Sequence, residues 1–142
     1  MSDHVVICNK LKVLLRYYKE LQELVRSLTI GEYLSQLLLR RAVERQLQLI
    51  VECGTDINNM ILRSLGQGPA KDYFNSFVDL AENNVLDMEF ALEIAPFTGL
   101  RNILVHEYTK IDDVIVYHSI SDVLKYYGQY IQTIAGYLEC EM

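Results

Sequence analysis

The chain has little that breaks a helix. Only two prolines, Pro69 and Pro96, occur among its 142 residues, and Leu, Glu, Gln, Arg and Lys dominate the intervals between them. These residue types favour helices over strands, and no segment shows a strand-like alternation of apolar and polar residues. Because long amphipathic helices joined by short connections pack as antiparallel neighbours, we predict an antiparallel bundle of about five to six helices. The length fits a single all-α domain over residues 1–142.

Cysteine is also scarce, and the apolar runs are short. Cys8, Cys53 and Cys140 are odd in number and scattered, which is typical of reduced thiols and offers neither a disulfide framework nor a metal-binding spacing. No apolar run is long enough to cross a bilayer, and the first residues lack the pattern of a secretion signal. We therefore expect a cytoplasmic protein with no membrane contact and no metal site.

Positive charge is in short supply over most of the chain. The net charge is −6: residues 1–45 carry eight Lys or Arg and five Asp or Glu (+3), and residues 46–142 carry five and fourteen (−9). Such an acidic protein repels a polyanion at long range, so an RNA would have to meet a local basic patch. The cluster of Arg40, Arg41 and Arg45 is the candidate patch, with Arg41 and Arg45 as predicted RNA-binding residues. The alternative is that these arginines are ordinary solvated helix charges.

Three long segments have apolar residues at helical spacing. The first stripe extends from Ile7 to Leu28, and the stretch Thr29-Ile30-Gly31 is predicted to end that helix. The second pattern extends from about Tyr33 to Leu65, with Gly54 on its stripe as a point of close helix approach or a bend. The third extends from Ile120 to Leu138.

Two shorter helices are predicted between the second and third patterns, at about residues 72–83 and 87–108. Gly66-Gln67-Gly68-Pro69 should end the long helix before them, because glycine and proline stop helices efficiently. Pro96 falls inside the second short helix and should kink or restart it.

The segment 101–108 contains the two side chains best suited to phosphate chemistry. Arg101 is a permanent cation that suits phosphate, and His106 transfers protons near neutral pH. On an ideal helix these two residues differ by about 140°, so one helix does not aim both at one phosphate. Asn102 shares a face with His106, and Tyr108 shares a row with Arg101. Two copies meeting across a two-fold axis, or a break near the helix end, would combine Arg and His in one cleft.

The pattern Arg101-Asn102-x-x-x-His106-x-Tyr108 resembles the Arg-x4-His-x-Tyr signature of HepT-type toxins in the HEPN superfamily. Residues 40–48, the triplet Asp72-Tyr73-Phe74 and residues 108–112 resemble other segments of the same family. The likeness covers nearly the whole chain, in order and in spacing. It implies a homodimer in which the Arg and His of both subunits line one cleft and cut RNA without a metal.

The resemblance also implies a role for each motif residue. His106 would act as general base or acid when the ribose 2′-hydroxyl attacks the adjacent phosphate, and Arg101 would stabilise the transition-state charge. Asn102 would orient His106 or the phosphate. Tyr108 would receive AMP from ATP, transferred by a cognate minimal nucleotidyltransferase antitoxin, and the added charge and bulk would exclude RNA.

The predicted function is therefore the toxin of a type II/VII-like toxin–antitoxin module, an endoribonuclease with no cofactor of its own. An alternative is a non-catalytic HEPN-like module that binds a nucleotide or docks on a nucleotidyltransferase, and a weaker one is a structural helical adaptor. The joint presence of Arg101, His106 and Tyr108 favours the nuclease, because a docking module does not need all three.

Overall fold

The computed structural model describes residues 3–142, which form seven α-helices and one 3-10 helix without a strand. In chain order they are α1 (Asp3–Leu24), α2 (Ile30–Ser35), α3 (Leu37–Ser64), α4 (Tyr73–Glu82), α5 (Met88–Ile94), α6 (Phe97–His106), the 3-10 helix η1 (Tyr108–Lys110) and α7 (Asp113–Leu138). Only α1, α3, α4, α6 and α7 have ten residues or more. The predicted all-α bundle of five to six helices is confirmed.

Helix α3 lies at the centre of the bundle and packs against α1, α2, α4, α6 and α7. Its apolar stripe is buried over Val43, Leu47, Ile50, Ile57 and Ile61. Each such side chain stabilises the fold by about 1.5–3 kcal/mol when it leaves water. Because α3 contacts five other helices, it is the frame on which the remaining elements are placed.

Helices α1 and α7 lie beside α3 and run antiparallel to each other. The Tyr18 hydroxyl donates to the Leu124 carbonyl at 2.8 Å, and the Tyr117 hydroxyl donates to the Leu28 carbonyl at 2.8 Å. A Cβ at Gly128 would lie 2.6 Å from the Tyr18 hydroxyl oxygen, so a larger residue there would have to displace the Tyr18 side chain. At Gly54 a Cβ would lie 3.0 Å from the Tyr127 ring, which confirms the predicted close helix approach.

The first helix ends earlier than the sequence pattern predicts. Helix α1 stops at Leu24, five residues before Thr29, and the Thr29-Ile30-Gly31 stretch begins α2 instead. The cause is a capping box: the Thr29 hydroxyl accepts from the Glu32 N–H at 3.1 Å, and the Glu32 carboxylate accepts from the Thr29 N–H at 3.1 Å. The bond from the Thr29 backbone lowers the pKa of Glu32. The predicted helix end is therefore wrong.

The other predicted breaks are confirmed. Gly66 follows α3 with a φ of 81°, a left-handed conformation that glycine adopts without strain. Pro96 divides the predicted 87–108 segment into α5 and α6. Asp72 caps α4 by accepting from the Asn75 N–H at 2.7 Å.

Two of the three cysteines form a disulfide. Cys8 on α1 and Cys140 beyond α7 are bonded, with Cα atoms 5.6 Å apart across a sequence separation of 132 residues. The prediction of reduced thiols is wrong for this pair, because the antiparallel packing of α1 and α7 joins positions that no local spacing relates. Cys53 is free and buried, and burial raises the pKa of its thiol to about 11. It therefore stays a neutral thiol and is a poor nucleophile.

A buried polar network fixes the first turn of α4. The Asn58 amide donates to the Ser76 hydroxyl at 2.9 Å, and the Ser76 hydroxyl donates to the Tyr73 carbonyl at 2.7 Å. The Tyr130 hydroxyl donates to the Asn58 side-chain oxygen, and burial raises its pKa well above the usual value. The network links α3, α4 and α7 and so determines where Tyr73 stands.

In the described part of the chain, no helix is both long and apolar enough to cross a membrane. Nor does any group of three or more His, Cys, Asp or Glu side chains within residues 3–142 have the arrangement of a metal site.

Candidate active site

Helix α6 carries the Arg–His motif and packs against α3 in an antiparallel sense. Arg101, in the middle of α6, contacts Glu52 of α3, whereas Tyr108, after α6, contacts Arg41 near the start of α3. The segment 101–108 therefore lies along a polar stripe of α3 that includes Gln48 and Arg45, spaced at helical intervals between these two contacts.

The Arg101 guanidinium is held on three sides. Its Nε donates to Glu52 Oε2 at 2.9 Å, Nη2 donates to the same oxygen, and Nη1 donates to Asn102 Oδ1 at 3.3 Å. The Tyr73 ring lies against it, with the Arg101 Cζ 4.6 Å from the ring centroid. Gln48 Nε2 donates to the same Glu52 oxygen at 3.3 Å. A guanidinium has five N–H donors, so two remain for a ligand.

His106 has a contrasting environment. It is the last residue of α6 and is exposed, and no hydrogen bond or ion pair joins its imidazole ring to another residue in the range 3–142. The chain leaves the helix at Glu107, where φ is −127° and ψ is 45°. Nothing in the described chain brings His106 into contact with Arg101, as the helical angle between them predicts. Asn102 bonds to Arg101 rather than to His106, so within one subunit it supports the arginine.

Tyr108 does not lie on the helical row of Arg101. That expectation is wrong because α6 ends at His106 and Tyr108 begins the 3-10 helix η1. The residue is 48% exposed, and the Arg41 Cζ lies 5.0 Å from its ring centroid, a cation–π contact. Tyr108 is therefore accessible to a modifying enzyme and is oriented by a cation of α3.

The three arginines of the predicted RNA-binding patch have different surroundings. Arg40 donates to the Leu34 carbonyl at 2.6 Å and lies 3.4 Å from the Asp113 carboxylate, so it joins α2, α3 and α7. Arg41 pairs with the Glu44 carboxylate at 3.1 Å in addition to its contact with Tyr108. Burial raises the pKa of Glu44. Arg45 is exposed and makes no ion pair within residues 3–142.

A cleft of about 470 Å³ opens beside Arg101, between α3, the α3–α4 loop, the start of α4 and α6. Its lining residues are Asn59, Ala70, Lys71, Asp72, Tyr73, Phe74, Thr98, Arg101 and Asn102. The sequence motif identifies Arg101 and Asn102, but the contribution of Glu52 was missed. No local pattern reveals it, because Glu52 precedes Arg101 by 49 residues and meets it only through α3–α6 packing.

Comparison with known families identifies the chain. The sequence profile described as "Ribonuclease HepT-like" matches residues 14–134. The chain belongs to the HepT-like ribonuclease family. Two HepT-like relatives are a tRNA nuclease HepT of Aphanizomenon flos-aquae and an mRNA nuclease HepT of Shewanella oneidensis. The first is 38% identical over 136 residues, 96% of this chain and 92% of that protein. The second is 30% identical over 134 residues, 94% of this chain and 98% of that protein.

Solved structures share this HepT-like fold. A tri-AMPylated Shewanella oneidensis HEPN toxin, solved in complex with an MNT antitoxin, superposes with a TM-score of 0.82 at 29% identity, covering 96% of this chain and 99% of that one. A toxin–antitoxin structure with AMP-PNP gives a TM-score of 0.81 at 29% identity, covering 94% and 99%. The family predicted from the Arg-x4-His-x-Tyr motif is confirmed.

Proposed function

We propose that this chain is the toxin of a type II/VII-like toxin–antitoxin module and cleaves RNA through Arg101 and His106 in a composite homodimer site. The observation that carries the proposal is the contrast within α6. Arg101 is fixed by Glu52 and Tyr73 with donors left for a phosphate, while His106 is exposed and lacks a partner in the described chain. Relatives named tRNA nuclease and mRNA nuclease support RNA as the substrate.

The reaction needs only groups of the protein and the RNA. One His106 imidazole accepts the proton of the ribose 2′-hydroxyl, whose oxygen then forms a bond to phosphorus as the bond from phosphorus to the 5′-oxygen breaks. The imidazolium formed in this way then gives the proton to the leaving 5′-oxygen. The products carry a 2′,3′-cyclic phosphate and a 5′-hydroxyl. The free N–H groups of Arg101 stabilise the charge that develops on the phosphate, so we propose cleavage without a metal.

Tyr108 is the proposed switch. We propose that a cognate minimal nucleotidyltransferase antitoxin transfers AMP from ATP to the Tyr108 hydroxyl, as the tri-AMPylated relative bound to its MNT antitoxin suggests. Tyr108 is 48% exposed and its ring lies beside Arg41, so an added AMP would block the approach to the site with negative charge and bulk. Arg41 and Arg45 remain predicted RNA contacts on this side, and we place the module in the cytoplasm, where its RNA substrates are made.

Mixed dimers test the composite site. Expressed alone, the wild-type chain should arrest growth and cleave RNA, whereas Arg101→Ala and His106→Ala should each lower cleavage by about a thousandfold. When these two variants are mixed and exchange subunits, one site of each heterodimer regains an Arg from one chain and a His from the other. Cleavage should then return. The control is Arg101→Ala mixed with a chain that carries both substitutions, which cannot rebuild a site.

Two results would contradict this proposal. Equal toxicity of the His106→Ala variant would show that His106 is not catalytic, and would favour a non-catalytic module. Mixed dimers that form, as detected by native mass spectrometry, yet stay inactive would show that Arg101 and His106 act within one subunit.

Intact-mass analysis tests the switch. After incubation with the nucleotidyltransferase and ATP, the wild-type chain should gain AMP and lose cleavage activity, and Tyr108→Phe should gain none. Tyr137→Phe is the matched control, since Tyr137 is 45% exposed on α7 and remote in sequence from the motif. Undiminished AMP addition to Tyr108→Phe would exclude Tyr108 as the acceptor.

A further inference from the structure

The cleft beside Arg101 has the size and lining of a nucleotide site. Its volume of about 470 Å³ falls within the range of small-ligand sites, which are typically ~300–1,000 Å³. Arg101 and Asn102 belong to both the cleft and the motif, so a group bound in the cleft would adjoin the phosphate held by Arg101.

An unpaired aromatic ring lines this cleft. Phe74, in the first turn of α4, is 38% exposed and stacks on no other ring within residues 3–142. The neighbouring Tyr73 ring is already covered by the Arg101 guanidinium. Phe74 is therefore the surface in the cleft on which a base can stack, and such stacking tolerates every base because each has a π-face.

Two polar side chains in the cleft have hydrogen-bond donors without an acceptor among the described residues. Asn59 Oδ1 accepts from the Ala70 N–H at 3.0 Å, which fixes the amide and leaves Nδ2 with no acceptor among the described residues. Lys71 is exposed and forms no ion pair within residues 3–142. The single carboxylate of the lining, Asp72, accepts from Asn75 at 2.7 and 2.8 Å and is thus engaged in capping α4.

We propose that this cleft binds the nucleoside next to the scissile phosphate. Its base stacks on Phe74 and accepts a hydrogen bond from Asn59 Nδ2, while Lys71 pairs with the following phosphate. The proposal rests on the ribonuclease function proposed above. The RNA on one side of the scissile phosphate would then lie at the α3–α4 loop, and the RNA on the other side would lie beyond His106, near Arg41. The basic residues that meet the RNA are then separated along α3 and α6, so an acidic chain needs no single large basic surface.

Binding of an uncleavable strand tests the cleft independently of catalysis. The probe is a fluorescein-labelled, single-stranded 2′-O-methyl RNA octamer of mixed sequence, which lacks the attacking 2′-hydroxyl, and the readout is the Kd from fluorescence anisotropy. Phe74→Ala should raise the Kd by about tenfold, since a stacked base contributes roughly five- to 150-fold. Phe74→Tyr, which keeps the ring, should stay within about twofold of wild type. Phe74→Leu, which keeps only apolar bulk, should behave like Phe74→Ala.

The lysine is tested with the same probe. Lys71→Ala should weaken binding and reduce the salt dependence of the Kd, because one phosphate contact is lost. Lys19→Ala on α1 and Leu92→Ala on α5 are the matched controls, both on exposed positions outside the cleft, and neither should change the Kd.

The outcomes separate this proposal from the function on which it rests. If wild type cleaves RNA but Phe74→Ala and Lys71→Ala bind the octamer like wild type, the cleft is not the subsite and the nuclease stands. Weakened binding by Phe74→Ala that coincides with loss of the dimer in light scattering, with Lys71→Ala normal, would assign Phe74 to the subunit contact and overturn the subsite. If wild type cleaves no RNA, the nuclease proposal fails whatever the anisotropy shows.

Discussion

The two ends of the Arg–His motif have opposite physical characters. Arg101 lies within a packed region, with its side chain 13% exposed and with Glu52, Tyr73 and Asn102 as partners. His106, only five residues later, stands exposed at the end of a helix, and a 3-10 helix begins two residues after it, at Tyr108. One half of the site is thus prearranged by the fold, and the other half is left open.

This difference indicates which side chain loses conformational entropy when the candidate site binds its substrate. A side chain that is fixed before the substrate arrives loses little conformational entropy when it binds, whereas a free side chain must be ordered during binding. The arginine end is ready in a single subunit. In the proposed composite site, RNA and the second subunit would supply the surroundings of the histidine end, so the two halves should respond differently to substitution.

Among substitutions that keep part of the side-chain chemistry, Arg101→Lys is expected to have the largest effect on cleavage. Lysine keeps the charge but cannot bond to Glu52 through two nitrogens or lie flat on the Tyr73 ring. We expect kcat/KM to fall by at least about a hundredfold, which corresponds to roughly 2.7 kcal/mol of transition-state stabilisation. Steady-state cleavage of a fluorogenic RNA measures this. Activity of the Arg101→Lys variant within about threefold of wild type would show that charge alone suffices and that the rigid contacts are unimportant.

A smaller effect is expected from Glu52→Gln. The amide keeps an acceptor oxygen near Arg101 but removes the charge that offsets the guanidinium. We expect kcat to fall about tenfold because the arginine is less firmly held, while KM stays level or falls because a less neutralised Arg101 attracts RNA more strongly. Glu89→Gln, an exposed position on α5, is the matched control. Equal kcat values for Glu52→Gln and wild type would show that Glu52 does not position the arginine.

The smallest effect on cleavage is expected from Cys8→Ser, although this variant should change stability. Loss of the Cys8–Cys140 bond should lower the free energy of unfolding by about 2–4 kcal/mol, measured by urea denaturation, because the unfolded chain regains freedom. Cleavage at 25 °C should change by less than about twofold. Wild type in a reductant should show the same loss of stability, because its disulfide is also broken. Cys53→Ser is the control for replacing a cysteine outside the disulfide. A large loss of activity in folded Cys8→Ser would show that the bond shapes the site.

Most helices were predictable because their apolar spacing and stop signals are local. The apolar spacing and Gly66 locate most of α3 and its end, and Pro96 locates the break between α5 and α6. The predicted start at about Tyr33 is wrong, because Tyr33 lies in α2 and α3 begins at Leu37. The error at Thr29 has an equally local cause, because Thr29 and Glu32 form a capping box, which is a sequence signature of a helix start.

The tertiary partners were not predictable in this way. Glu52 meets Arg101 only because α3 and α6 cross at those positions, and the Cys8–Cys140 pair depends on the antiparallel docking of α1 and α7. The place of Tyr108 was mispredicted because periodicity describes a helix while it lasts but does not show that α6 ends at His106. The motif thus identifies the candidate residues, and the packing determines where their side chains lie.

The disulfide has a consequence for how the chain is degraded. Cys8 and Cys140 close nearly the whole polypeptide into a covalent ring, because the bonded residues are 132 positions apart in the sequence. A protease that cuts once, for instance in the exposed loop at Gly66–Pro69, leaves one molecule whose pieces stay joined and can remain folded. The fragments separate only after a second cut or after reduction of the disulfide. The redox state of the surroundings therefore determines whether one or two backbone cuts release a fragment.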